Sequence, residues 1–574
     1  MEIQHDSSSE FVIPISYGSS EITQTGKWGF QKPETVFMTA PCQEACPAGI
    51  NIPQFLYFAN EGLYGEALLT ILKESPFPGI CGRVCFHPCE IDCNRAQFDE
   101  SVSIHTIERC VSDATSNEMI ELLPLSAGNS NVAVVGAGPA GLSCAYFLSL
   151  LGHRVTIFEA GKEPGGVMRW GIPDYRLPKS ILKREIQRIL SLPIELRTGT
   201  KIGRDISFDE ISQFNGIFLS PGAGINVPLS LQGEKLGQIW KGGEFLERIN
   251  SKEKIKLGKE TIVIGGGNTA MDVARSALRL GSRVTVAYRR TRDEMPAIKD
   301  EIEEAEGEGV EFRFLIQPVK VNILKNKKLS VKFQCMKLSR RDQSGRPKAI
   351  PLKGKFITLE TDHLLTAVGE QVDLSWLPEE LIKNQLIERK PSSKIFAGGD
   401  AVDQPRTIVT AIGAGKRAAI SIDSFLRGND EDSILSKMTV GSKGSLSMEA
   451  YLRGRENADW PEAKKVVPYE EINTLFFEPS KRVRVRKRNR ERVLKDFSEV
   501  NLGYSAKEAK SSASRCFSCG TCNYCLNCYY FCPEGVISLD PAQRARTVDF
   551  DHCKGCGTCA KACPRSVVKM RELP

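Results

Sequence analysis

The sequence predicts an α/β protein: two nested Rossmann-like domains, with a small helical cysteine-rich domain before them and a compact cysteine-rich domain after them. Three observations carry this. Glycine-rich turns at Gly136 and Gly265 each join an apolar strand to an apolar helix. A strand ending in Gly399 and Asp400 resumes the first of these patterns after the second is complete. Of nineteen cysteines, six lie between Cys42 and Cys93 and ten between Cys516 and Cys563, which leaves the centre almost bare of them.

Composition narrows the class. A chain of 574 residues has room for roughly four domains. The net charge of +7 is mild and gathers in Lys481 to Arg492, a local basic arm that does not suit a nucleic-acid-binding surface. Met1 to Phe11 carries acids and serines where an export signal needs a positive end and an apolar core. No apolar run approaches the roughly 18 residues of a membrane span. The expected location is therefore cytoplasmic, with neither nucleic acid nor a membrane span. Thiols stay reduced there, so crowded cysteines point to metal rather than to disulfides.

The strongest motif is carboxyl-terminal. Cys522, Cys525, Cys528 and Cys532, followed by proline, have the spacing C-x2-C-x2-C-x3-C-P, and Cys553, Cys556, Cys559 and Cys563 repeat it. In two-cluster ferredoxins the fourth cysteine of each run crosses to the other cluster. The expected [4Fe-4S] ligand sets are thus Cys522, Cys525, Cys528 with Cys563, and Cys553, Cys556, Cys559 with Cys532. Zinc ribbons, the competing reading, pair two C-x2-C knuckles and lack the third cysteine and the C-P ending.

The first glycine turn runs Gly136, Ala137, Gly138, Pro139, Ala140, Gly141 between a strand from Val132 and a second strand ending at Glu159. Its glycines permit the tight turn, the approach of a pyrophosphate to the helix start, and close helix–strand packing, while Glu159 is placed for a ribose hydroxyl. The second turn carries Gly265, Gly267, Asn268 and Thr269, and its following strand ends in Arg289 and Arg290 where an NAD-selective fold would put an acid. Guanidinium forks there suit a 2′-phosphate, favouring NADPH over NADH. In flavoprotein reductases an aspartate such as Asp400 reaches the ribityl chain and a helix starting near Thr407 faces the ring. The first cradle is then for FAD and the inserted one for NAD(P)H.

From about Thr39 to Asp423 the sequence resembles the glutamate synthase small-subunit family, which includes the flavin half of electron-bifurcating transhydrogenases and the amino-terminal part of dihydropyrimidine dehydrogenase. The marks are Cys42 and Cys46-Pro47, Cys81 and Cys85, Cys89 and Cys93, Gly165-Gly166, the Gly171 to Pro178 segment, and Tyr288 to Arg290. The resemblance implies FAD contact from Gly166, Arg176, Gly399, Asp400 and Thr407, and dinucleotide contact extending to Gly369. It also implies two [4Fe-4S] clusters in the helical domain. Cys46, Cys85 and Cys89 match the near set, with Glu108 in the place of the fourth ligand. Only Cys42 and Cys93 match the outer set. The missing pair is expected from Cys516 and Cys519, folded back from the tail or supplied across a homodimer, giving four clusters; an unfilled outer site and recruitment of Cys81 are the competing readings.

The expected map is an irregular amino-terminal arm (1–38), a helical [4Fe-4S] domain (39–125), an FAD domain (126–240 and 362–428) around an NAD(P)H domain (241–361), a connecting segment with the basic arm (429–505), and a ferredoxin-like two-[4Fe-4S] domain (506–574). The expected activity is electron transfer between NAD(P)H, FAD and the clusters, with no side-chain catalyst beyond the flavin. The partner is expected to be a protein donor or acceptor, sulfite reductase-like or ferredoxin-like. A wiring subunit without turnover of its own is the alternative. A thioredoxin-reductase-like enzyme is disfavoured because Cys144 and Cys335 are solitary.

Overall fold

The computed structural model describes residues 24–116, 118, 120, 122, 124–125, 130–229, 231–341, 345–390, 392, 394–457, 465–540 and 545–573. They divide into two compact units. The larger holds Thr39–Val466 and Pro479–Cys516; the smaller holds 24–38, Val467–Glu478 and 517–573.

Two parallel sheets organise the larger unit. The first orders Ile395–Ala397, Gly216–Leu219, Asn131–Val135, Arg154–Phe158 and Ile194–Arg197. Its central strands are buried on both faces, which explains their unbroken apolar runs. The second orders Glu311–Phe314, Arg283–Tyr288, Glu260–Ile264, His363–Thr366 and Ile239–Lys241. The inserted domain therefore begins before 241 and closes after 361, because its flanking strands pair within its own sheet. A three-stranded antiparallel sheet, Ile316–Ile323, Leu329–Arg341 and Pro347–Thr361, packs beside it through Val331 and Phe333.

Ahead of these lies the helical domain, built from Pro41–Ala45, Ile52–Glu61, Tyr64–Leu72, Pro78–Val84, Pro88–Ile91 and Ile104–Ala114. Proline stands in the first turn of four of them, where its missing N–H costs nothing. Helix Ala506–Ala513, expected at the start of the ferredoxin-like domain (506–574), packs instead against Ile52–Glu61 and Ile104–Ala114.

In the basic arm a single bridge joins Lys487 to Asn501. Lys481, Arg484, Arg486, Lys487, Arg490 and Arg492 are exposed, while ion pairs join Arg482 to Glu90 (2.5 Å), Lys487 to Glu304 (2.8 Å), Arg488 to Asp496 (2.8 Å) and Arg486 to Glu508 (3.5 Å). Since Glu90 lies in the helical domain and Glu304 in the inserted one, the arm is a strap between them.

In the smaller unit, Gln31–Thr35 pairs antiparallel with Val568–Glu572, and Ile537–Asp540 forms a hairpin with Ala545–Val548. Residues 24–38, expected as an irregular arm, thus supply a strand. The period-two signal of five residues containing a proline was too weak to reveal it. Residues 1–23 lie outside the described residues. No described helix is long and apolar enough to cross a membrane.

Candidate functional site

In the first cradle Gly136 has φ 95°, and a Cβ there would lie 2.4 Å from Ser220 O. At Gly141 a Cβ would meet Gly136 O at 1.9 Å, so helix Pro139–Leu150 packs on the turn only without a side chain. A Cβ on Gly138 would meet nothing within 4 Å, which leaves the helix start open to a pyrophosphate. Ala140 is buried behind it. Glu159 accepts from the amides of Ala137 and Gly161, both at 2.7 Å, and so holds the turn. Gly166, φ 51°, rests against Gly138, where a Cβ would approach Gly138 Cα at 2.9 Å.

Opposite, Gly399 has φ 70° and brings Asp400 into a setting where burial raises its carboxyl and Arg406 opposes the rise. The Thr407 hydroxyl accepts from Thr410 N at 3.2 Å and caps helix Ile408–Leu426. Arg176 turns elsewhere: its guanidinium meets Asp272 at 2.7 Å and Glu301 at 2.8 Å, joining the FAD domain to the inserted one.

The second cradle repeats the geometry. Gly265 has φ 145°, and the nearest atom to a Cβ on Gly267 would be Pro296 Cγ at 4.0 Å. Asn268 Oδ1 accepts from Ile298 N at 2.9 Å, Thr269 is exposed, and Gly369 has φ 112° with open space around it. The arginine pair divides. Arg289 is exposed, whereas Arg290 is buried with Nε donating to Pro347 O at 2.7 Å. Arg289 is the freer of the two to meet a 2′-phosphate.

Four thiols and one carboxylate meet in the helical domain. Burial raises the Cys85 thiol, and the charges of Cys46 and Glu108 add to the rise. Cys81 is pushed well up by burial, then by Glu108, Cys85 and Cys46; Cys89 by burial, then by Cys46, Glu90, Cys85 and Cys42. Glu108 is buried and its carboxyl raised well above the usual range, and its Oε1 meets no hydrogen-bond partner. Such a group suits a metal ion's charge better than an empty apolar site. Cys81 is a fifth member that sequence spacing left unassigned. Its signal was the C-x3-C it forms with Cys85.

Beyond this group, burial raises the Cys93 thiol while amides of Val102, Arg95 and Ala96 pull it down. Cys516 ends a segment anchored nearby: Arg95 donates to Arg515 O at 2.8 Å, and Arg515 meets Asp99 at 2.9 Å. Cys519 falls in the smaller unit.

Helix Ile408–Leu426 touches the helical domain just after Cys46. A Cβ on Gly413 would lie 2.3 Å from Pro47 O, so the loop after Cys46 lies directly on helix Ile408–Leu426. At 1.5 Å per residue that contact is about 9 Å along the helix from its capped start at Thr407.

In the smaller unit Cys522 is raised by burial and then by Cys525 and Cys563, while Cys528 is raised by burial, eased by Arg546, and raised again by Cys522 and Cys525. Cys532, Cys553, Cys556 and Cys559 line one cavity together with Ile537, Val548 and Met570. Burial pushes the Cys559 thiol up to about 11, against Arg546. Cys532 thus shares a cavity with Cys553, Cys556 and Cys559, and Cys563 lies within electrostatic reach of Cys522. Among the described residues no three Cys, His, Asp or Glu side chains are gathered tightly enough to hold a single metal ion.

A polar cavity of about 580 Å³ lies where the strap, the helical domain and the inserted domain meet. His87 and His105 stack in its wall with centroids 4.1 Å apart, and His105 Nδ1 meets Glu90 at 2.7 Å. Burial opposes the Glu90 charge, yet His105 and Arg482 hold its carboxyl at about 2.

Comparison with known proteins places family models along the chain. Residues 130–415 match the pyridine nucleotide-disulphide oxidoreductase model, 37–120 the dihydropyrimidine dehydrogenase domain II, 4Fe-4S cluster model, and 521–567 the 4Fe-4S dicluster domain model. The chain is 35% identical over 542 residues to the NADPH-Fe(3+) oxidoreductase subunit beta of Geobacter sulfurreducens, covering 85% of this chain and 77% of the relative. It is 35% identical over 518 residues to the NADP(+)-dependent formate dehydrogenase subunit beta of Moorella thermoacetica, covering 84% and 70%. It is 32% identical over 418 residues to the glutamate synthase [NADPH] small chain of Escherichia coli, covering 67% and 88%.

Proposed function

The chain belongs to the glutamate synthase small-chain-like family of FAD-dependent pyridine nucleotide oxidoreductases with iron–sulfur domains, and from that premise we propose that it exchanges electrons between NADPH and a protein partner. When bound, FAD and the [4Fe-4S] clusters supply the conversion between paired hydride chemistry and single-electron transfer.

The chain's own residues bind and orient. The amides around Gly138 receive the FAD pyrophosphate, Glu159 fixes that turn and the ribose, and Asp400 with the capped start at Thr407 sets the ring end. Gly265, Gly267 and Asn268 do the same for the nicotinamide dinucleotide, with Arg289 taking the 2′-phosphate. Hydride transfer needs this alignment more than it needs an acid or base. Cys46, Cys85, Cys89 and Glu108 would hold the near cluster. The tail thiols would hold two more in crossed sets, and Cys42, Cys93 and Cys516 would take part in a fourth.

The observation that supports the reading is the seat of the loop after Cys46 on helix Ile408–Leu426, the helix whose capped start at Thr407 would face the flavin. Relatives named as subunits of an iron(III) reductase and a formate dehydrogenase support a catalytic partner, and a sulfite reductase-type partner is the finer reading. Anaerobic addition of NADPH to the full chain tests it. Rapid bleaching of flavin and cluster absorbance with reduction of a viologen dye is expected. Bleaching that needs an added partner would instead make the chain a wiring subunit, and none under either condition would refute the proposal.

A further inference from the structure

Lys416 lies in helix Ile408–Leu426, one turn beyond the contact of Gly413 with Pro47, and is completely buried. A long cation without solvent exposure needs partners, and it has two from the helical domain: its ammonium donates to Ala48 O and pairs with the Glu74 carboxylate. Ala48 is two residues beyond Cys46. The cation thus sits on the cluster loop itself.

Glu74 faces the other way. It accepts from Ser447 Oγ at 2.8 Å and from the amides of Met448 and Glu449 at 2.8 and 3.1 Å, the start of helix Met448–Asn457. Those donors and the helix dipole hold the carboxylate independently of the lysine. The pair is therefore a buried dipole whose positive end is directed at the Cys46 loop. Neighbouring long side chains of this helix offer no substitute, since Arg417 instead donates to Gly444 O at 2.6 Å.

We propose that Lys416 is a positioning residue that sets the reduction potential of the near cluster, its buried ammonium stabilising the electron that the cluster gains. The inference rests on the reading that Cys46, Cys85 and Cys89 hold that cluster. The step is the gain of one electron by the cluster from the reduced flavin, with no bond made or broken. A fixed positive charge in a low-dielectric setting favours the more negative state and raises the potential.

Anaerobic redox titration of the full-length holoprotein, followed by electron paramagnetic resonance, tests this. Cys85→Ser identifies the near-cluster signal. Lys416→Met is expected to lower the equilibrium constant for reduction of that cluster about tenfold, equivalent to about 59 mV for one electron. Lys416→Arg should keep the wild-type value, and Glu74→Gln should shift it the opposite way, because it strips the dipole of its negative end. A merely structural lysine would give shifts of one sign or none. Equal potentials in wild type and Lys416→Met, with iron content intact, would overturn the inference. If Lys416→Met loses iron, an unchanged potential in Lys416→Arg together with an upward shift in Glu74→Gln supports the inference, and any other pair of results overturns it. If Cys85→Ser removes neither signal nor iron, the cluster reading itself fails.

Discussion

The two cysteine-rich ends solve one problem in opposite ways. Around Cys46, Cys81 and Cys89 the thiols are buried among helices with an apolar core of their own, including Phe55, Phe77, Ile80 and Ile107. In the tail Cys522, Cys525 and Cys556 are exposed, and one core cluster, Ile537, Cys559 and Val568, packs partly against further cysteines. The first is a pocket that the fold prepares for metal. The second builds its thiols into its own core, so metal-binding energy adds to folding energy there.

The largest effect that separates them is iron removal. Anaerobic chelation of the full chain should abolish protection of 517–573 against proteolysis and hydrogen exchange, while Ile52–Glu61 and Ile104–Ala114 stay protected. Equal loss at both ends would erase the distinction. A middle-sized effect is expected at Cys516: Cys516→Ala should remove about four of about sixteen irons per chain. No loss would mean that the outer amino-terminal set is filled otherwise. The smallest concerns Cys81, present in the pocket as a bystander. Cys81→Ser should leave iron per chain unchanged, and loss of about four irons would make it a ligand.

Much of this was legible because it is local. A glycine triplet between a strand and a helix, and four thiols within a dozen residues, impose their geometry over short spans, so the cradles at Gly136 and Gly265 and the tail spacing could be read directly. Long-range pairing was not. The acids that neutralise Arg482 and Lys487 sit at Glu90 and Glu304, remote in the chain, so the run looked like a free basic surface. Arg289 and Arg290 are adjacent and chemically alike, and only the third dimension buries one of them. Lys416 hides in an apolar helix pattern because its partners, Ala48 and Glu74, come from another domain.

The pairing of Gln31–Thr35 with Val568–Glu572 also has a temporal consequence. One bond there, from Thr25 Oγ1 to His552 O, spans 527 residues. At ribosomal speeds of roughly 5–20 residues per second, the early strand waits roughly half a minute to two minutes for its mate. The small unit can thus be completed only after residue 572 has been made, and a chain interrupted before residue 568 carries an unpaired edge that quality control can recognise.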